Sequence, residues 1–168
     1  MDQEKLQEKL QEKLERFKAA CRKEGLKLTH QRLEIYRELA ASDDHPSAEA
    51  LHQRLIGRIP TLSLDTVYRT LGTLARHGLV HKVETGESNA RFEVVFERHH
   101  HLICSHCLEI IDFQWPSMDE IALPEELRSW GKIDSKNVVA YGICRKCGPS
   151  SGEDPRSRHL REDVTDNP

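Results

Sequence analysis

"SLDTVYRTLGTLARHGLVHKVETGESNARFEVVF", residues 63–96, changes its periodicity half-way along. Residues 63–78 place Val67, Leu71 and Leu74 on one helical side, with Ser63 as N-cap and Gly78 as stop. Residues 79–96 then read as two strands around a Gly-containing turn at Glu84–Asn89. A helix running into a hairpin is a narrow pattern, and what precedes it decides its meaning.

Two further helices stand upstream. "THQRLEIYRELAAS" (29–42) starts at Thr29, a natural N-cap, and gathers Leu33, Ile35, Tyr36 and Leu39 on its apolar side. "HPSAEALHQRLIGR" (45–58) has Ser47 as N-cap, Glu49 in its first turn and Leu51 and Leu55 at i, i+4. Three compact helices followed by a hairpin is the order of a winged helix-turn-helix. The third becomes the candidate recognition helix, its Ser63, Asp65, Thr66, Tyr68 and Arg69 facing a DNA major groove. Tyr68 suits a thymine methyl and Arg69 a guanine or a phosphate. Thr61, Arg76 and Lys82 are phosphate contacts or plain surface side chains. Before all of these, "QEKLQEKLQEKLERF" repeats with period four and puts Leu6, Leu10 and Leu14 on one side of an exposed helical extension. A partner-binding or dimer-supporting helix is the alternative.

A chain of 168 residues suits one domain or two small ones, and a 32% charged fraction with net charge -3 describes an ordinary soluble protein. Residues 1–88 carry 15 Lys+Arg against 14 Asp+Glu, so DNA binding must rest on local arrangement. No apolar run approaches the roughly 20 residues of a membrane span, and no secretion signal pattern is present, so a cytoplasmic location is expected.

Beyond Arg91 the texture changes. "RFEVVF", "HHLICSHCLEIIDF" and "NVVAYGICRKC" read as strands, with a helix over 117–131 between the last two. The expected class is α+β, with an α/β unit of antiparallel strands small enough to need a staple. Residues 149–168 hold almost no apolar side chains and are expected to be disordered.

Four of the five cysteines form two C-x-x-C pairs, Cys104/Cys107 and Cys144/Cys147; Cys21 stands alone in a helical pattern. Such a pair delivers two thiolates to one ion from a tight turn, and two pairs complete a tetrahedron. The 36 residues between Cys107 and Cys144 exceed a simple ribbon, and the helix between them accounts for the excess. Four thiolates with no open position describe a structural zinc site, worth roughly 10–16 kcal/mol of folding free energy. Free or redox-active thiols are the competing reading.

On a strand, His99 and His101 point together while His100 points away. Glu93 and Asp112 lie on neighbouring strand patterns, and His45 stands just before a helix cap. Imidazoles with carboxylates suit Fe(II), Mn(II), Zn(II) or Co(II), apart from the thiolate site.

The stretches "GLKLTHQR", "HPSAEAL", "SLDTVYRTL", "GLV", "RFE", "HHHLICSHC", "IIDF" and "YGICRKC" together resemble the ferric uptake regulator (Fur) family of metal-dependent bacterial repressors, over roughly residues 14–148. The resemblance implies a homodimer. It implies residues 1–88 as a winged-helix DNA-binding domain with its helical extension, 89–148 as a dimerisation and metal-binding domain, and 149–168 as a tail. It implies a regulatory Fe(II) or Mn(II) ion held by His45, Glu93, His99, His101 and Asp112, besides the zinc on Cys104, Cys107, Cys144 and Cys147. Lys27 resembles the family's minor-groove lysine and joins Ser63, Thr66, Tyr68 and Arg69 as DNA contacts to a palindromic, AT-rich operator. Asp112 resembles the peroxide-sensing (PerR) branch, in which an Fe(II) site reacts with hydrogen peroxide and a ligand histidine, here His45 or His99, is oxidised. Glu93, Lys27 and Arg69 resemble the iron sensors, so an iron- or zinc-sensing repressor is the alternative. A further iron-sensor site finds His100 and Lys136 at its places, and an ammonium is a poor ligand. A peroxide-responsive repressor, not an enzyme, is the expectation. A non-haem iron oxygenase and a zinc-stapled interaction module without DNA binding are the distant alternatives.

Overall fold

Three helices begin at a hydroxyl that accepts a backbone N–H three residues on. Thr29 accepts from Arg32 at 3.2 Å, Ser47 from Ala50 at 3.2 Å and Ser63 from Thr66 at 3.1 Å. The computed structural model describes residues 3–85, 90–94, 98–133 and 136–148. After a first helix α1 (Gln3–Lys23), these caps open α2 (His30–Ala40), α3 (Ala48–Ile56) and α4 (Leu64–Arg76). Gly78, at φ +66°, ends α4 by turning left-handed, and Leu79 N–H then reaches the Leu74 carbonyl at 2.9 Å.

The expected hairpin follows as β1 (His81–Val83) and β2 (Arg91–Glu93), antiparallel with His81 opposite Glu93. Of its turn, 86–89 lie outside the described residues, as do 95–97 and the tail 149–168, on which disorder was expected. The core of this unit draws Ile35 and Leu39 from α2, Leu51 and Leu55 from α3, Val67, Leu71 and Leu74 from α4, and Phe92 from β2. The second half of α1 belongs to it: Leu14, Phe17 and Cys21 are buried, and the Phe17 ring stacks on Tyr36 with centroids 3.8 Å apart. Of the repeat's leucines, Leu6 is 55% exposed, whereas Leu10 packs against the core and Leu14 is buried in it, which corrects the wholly exposed extension expected.

The chain divides into two compact units, the first being residues up to His99 together with Gln114–Ile121, the second His100–Phe113 with residues from Ala122 on. The second unit is built on β3 (His100–Cys104), flanked by β4 (Ile110–Phe113) and β5 (Val139–Gly142) in the order β4-β3-β5. The expected antiparallel pairing joins β3 to β4, while β5 adds to β3 in parallel.

The helix expected over 117–131 is corrected. A short α5 (Pro116–Glu120) stops before Ile121, which is extended, and a separate 3-10 turn covers Glu125–Ser129. Pro124 is the reason. It has no N–H to donate, and it drives the residue before it out of helical geometry. Among the described residues no helix is long and apolar enough to cross a membrane.

Phe17, 2% exposed, and Leu6 mark the two halves of α1. Phe17→Ala is expected to cost about 3–5 kcal/mol in urea unfolding, and Leu6→Ala less than about 0.5 kcal/mol. Equal effects would show that α1 docks along its whole length or not at all.

Candidate metal centres and nucleic-acid interface

In the second unit both C-x-x-C turns close the same way. Leu108 N–H donates to the Cys104 carbonyl at 2.9 Å, and Gly148 N–H to the Cys144 carbonyl at 2.8 Å. Leu108 adopts φ +58° to do so. One turn leaves the end of β3 and the other follows β5, so pairing of these strands brings the pairs together. Cys144 N–H points at the Cys104 sulfur at 3.3 Å, and the Cys107 and Cys144 sulfurs are 3.7 Å apart. All four sulfurs lie within 4.8 Å of one another.

A tetrahedron with metal–sulfur bonds of about 2.3 Å has edges of about 3.8 Å, so the cage fits an ion of zinc's size and preference. Backbone N–H groups of Cys107, Cys144 and His106 pull the Cys104 thiol down to about 6, whereas the Cys107 and Cys144 thiols push Cys147 up to about 12. Held together as thiolates, four sulfurs this close would require a cation to balance them.

In the first unit, a loop tied to β2 presents His45. Phe92 N–H donates to the Pro46 carbonyl at 3.1 Å, and Ser47 bridges Arg91. His45 itself is 4% exposed and held at φ +48°, a left-handed conformation that costs a non-glycine residue of order 1–3 kcal/mol. Its Nε2 lies 3.2 Å from Glu93 Oε2, and His99 Nε2 lies 2.9 Å from the same oxygen. A buried carboxylate facing two imidazoles is a three-donor set, with ligand atoms within 4.8 Å of one another. In the second unit His101 faces Asp112 across the β3–β4 pair, with Nε2 and Oδ1 3.5 Å apart. Imidazole and carboxylate donors of this kind suit a borderline divalent metal ion.

His100, which points away from His99 and His101 in the strand pattern, has a structural task. It is 1% exposed, accepts the Val138 N–H on Nδ1 at 3.1 Å, and its ring lies 5.4 Å from that of Phe113. Nδ1 as acceptor places the proton on Nε2.

The recognition-helix candidates lie together on the exposed side of α4. Ser63 and Thr66 hydroxyls are 2.8 Å apart, so both take part in the cap. Arg69 is 81% exposed in its side chain, with Asp65 3.7 Å away. Tyr68 donates its hydroxyl to Glu49 of α3, and this bond holds the Glu49 carboxyl below its usual range. Lys27 is exposed in the loop before α2, and Arg32 donates to its carbonyl. Glu49 and Arg32 escaped the sequence reading. Glu49 looked like a first-turn acid and nothing more, and no local pattern ties it to a tyrosine 19 residues away.

Residues 23–141 match the model of the Ferric uptake regulator family. The peroxide-responsive repressors PerR of Staphylococcus epidermidis and of Staphylococcus aureus strain Mu50 are each 33% identical over 129 residues, which is 77% of this chain and 86% and 87% of theirs. Among solved structures, the ferric uptake regulator Fur of Helicobacter pylori, described with three functional metal binding sites, superposes with TM-score 0.66 at 29% identity, over 84% of this chain and 96% of that one. The manganese-containing ferric uptake regulator of Pseudomonas aeruginosa gives 0.63 at 29%, over 76% and 97%.

Cys144→Ser is expected to abolish one tightly bound ion per chain, read by metal analysis of the purified protein. Cys21→Ser, away from the cage, is expected to leave metal content unchanged. Full metal retention by Cys144→Ser would refute the four-sulfur site.

Proposed function

The chain belongs to the ferric uptake regulator family, whose members are transcriptional regulators and not enzymes, and we propose from that premise a peroxide-responsive repressor controlled by one exchangeable ion. The ion is Fe(II) or Mn(II), held by His45, Glu93, His99, His101 and Asp112, while Cys104, Cys107, Cys144 and Cys147 hold a permanent Zn(II).

One observation carries this reading: two incomplete donor sets flank a single residue. His45, Glu93 and His99 converge in the first unit, His101 and Asp112 in the second, and His99 and His101 are joined through His100 alone. Two residues along a strand span roughly 6.5 Å, a separation that two imidazoles can close on one ion. Neither set supplies a full coordination shell, and together they supply five donors. An ion requiring both favours the arrangement in which they meet, by as much as it binds that arrangement better.

The first unit would carry DNA. Ser63, Thr66, Tyr68 and Arg69 would meet the major groove from α4, and Lys27 the minor groove. Glu49 would hold the Tyr68 ring in place before DNA arrives. The second unit would pair with a second copy: Leu102, Ile111 and Ile143 are each at least 41% exposed and line one apolar hollow of about 60 Å³ beside Cys104. Exposed apolar residues gathered this way mark an association surface. A twofold dimer reads a palindromic operator, which the family resemblance makes AT-rich.

Fe(II) at the five-donor site would supply the electron that hydrogen peroxide needs to oxidise a bound imidazole. His45 and His99 both reach Glu93 Oε2, and oxidation of either removes a donor from the first unit's set. A plain iron sensor is the second reading, favoured by Glu93, which resembles the iron-sensing pattern, and by the likeness to the Helicobacter pylori regulator.

Gel shifts are expected to show duplex binding with Fe(II) or Mn(II) that chelator abolishes and His45→Ala lacks, while His45→Ala keeps its zinc. Binding that ignores metal would sink the repressor mechanism. After peroxide treatment of the Fe(II)-loaded protein, peptide mass spectrometry is expected to find one added oxygen on His45 or His99. An unmodified protein still bound to DNA would favour the iron sensor.

A further inference from the structure

Between α2 and α4 the first unit leaves a polar cavity of about 270 Å³, lined by Thr29, Arg32, Thr66, Arg69, Thr70 and Thr73. Every lining side chain ends in a hydroxyl or a guanidinium, and no carboxylate lines it. Asp65, which pairs with Arg69 at 3.7 Å, is largely in solvent.

The donors are arranged, not merely present. Arg32 gives one guanidinium N–H to the Lys27 carbonyl, which fixes the plane of the group. Its Nε–H is buried and has no partner among the described residues. A buried donor left this way is costly unless something accepts from it. Thr29 already accepts the Arg32 amide as cap, so its hydroxyl proton is available to a ligand. Thr29 caps α2 and Thr66 lies in the first turn of α4, so the positive ends of both helices border the cavity. Thr73 spends its hydroxyl proton on the Arg69 carbonyl at 2.8 Å and accepts from Arg76 at 3.2 Å, which draws a third guanidinium towards the rim. Fixed N–H and O–H donors, positive charge and two helix starts together suit a phosphodiester oxygen pair.

We propose that this cavity seats one backbone phosphate of duplex DNA, held chiefly by Arg32. The inference rests on the DNA-binding reading above and adds a contact of a different kind. Tyr68 and the exposed end of Arg69 meet bases, whereas Arg32 meets the backbone and carries no sequence information. Because Arg32 also ties down the Lys27 carbonyl, the same phosphate would set the register of the loop that carries Lys27.

The test uses the full chain loaded with Mn(II), a duplex selected by the wild type from a random pool, and an unrelated duplex of equal length. Arg32→Gln is expected to weaken both by about tenfold, the size of one charge-assisted contact. The slope of log affinity against log salt should become shallower by about one, with the ratio between the two duplexes kept. Arg32→Lys, which keeps the charge, is expected to keep the slope. A scan of single methylphosphonate substitutions should find one phosphate whose neutralisation weakens the wild type and leaves Arg32→Gln unaffected. An unchanged slope in Arg32→Gln, or a loss confined to the selected duplex, overturns the proposal. If Arg32→Gln melts early, the scan on wild type and Arg32→Lys decides, and the absence of any sensitive phosphate they share overturns it. Failure of the metal-loaded wild type to bind any duplex would instead overturn the DNA-binding reading itself.

Discussion

One carboxylate oxygen organises the first unit's polar centre. Glu93 Oε2 is approached by His45 from a loop and by His99 from the end of the following segment. Burying a carboxylate is costly unless charge or hydrogen bonds compensate, and here the compensation comes from two groups that are themselves metal ligands by nature. The cost reaches further back along the chain. His45 adopts a left-handed conformation and Pro46 gives its carbonyl to β2 so that the imidazole can arrive. Backbone strain of this sort persists where the surroundings over-determine it.

The same economy appears at the four sulfurs, with a different solution. There the strands do the positioning, because β3 and β5 end side by side and each passes into a turn that closes on its own first cysteine. Each set has one exposed member, Cys107 and Asp112, and its other donors are buried or half-buried. A cage of soft sulfur donors and a set of borderline nitrogen and oxygen donors differ in chemistry, which suits them to different ions.

Much of this was readable from residue spacing. Hydroxyl caps at Thr29, Ser47 and Ser63 marked three helix starts because the capping bond is local, reaching three residues along the chain. The C-x-x-C pairs were legible for the same reason. The single helix expected over 117–131 is broken in two because Pro124 cannot continue it. What stayed invisible were contacts made across long separations. Glu49 with Tyr68, Val138 with His100 and Cys144 with Cys104 span 19, 38 and 40 residues. The parallel pairing of β5 was hidden likewise, since a single strand's pattern does not state its partner's direction.

His100 carries a last consequence. Its ring is buried and its Nδ1 anchors Val138, so the link between His99 and His101 is a residue already committed to the second unit. In the proposed metal site, two half-sites joined by so short and so anchored a tether would behave like the two arms of a chelating agent. Once either arm held an ion, the other would be present at an effective concentration set by a few backbone torsions, not by diffusion. Affinity for the ion would then be tuned by tether stiffness as much as by the ligands. A substitution that loosens His100 would alter the threshold at which the metal registers without touching a single coordinating atom.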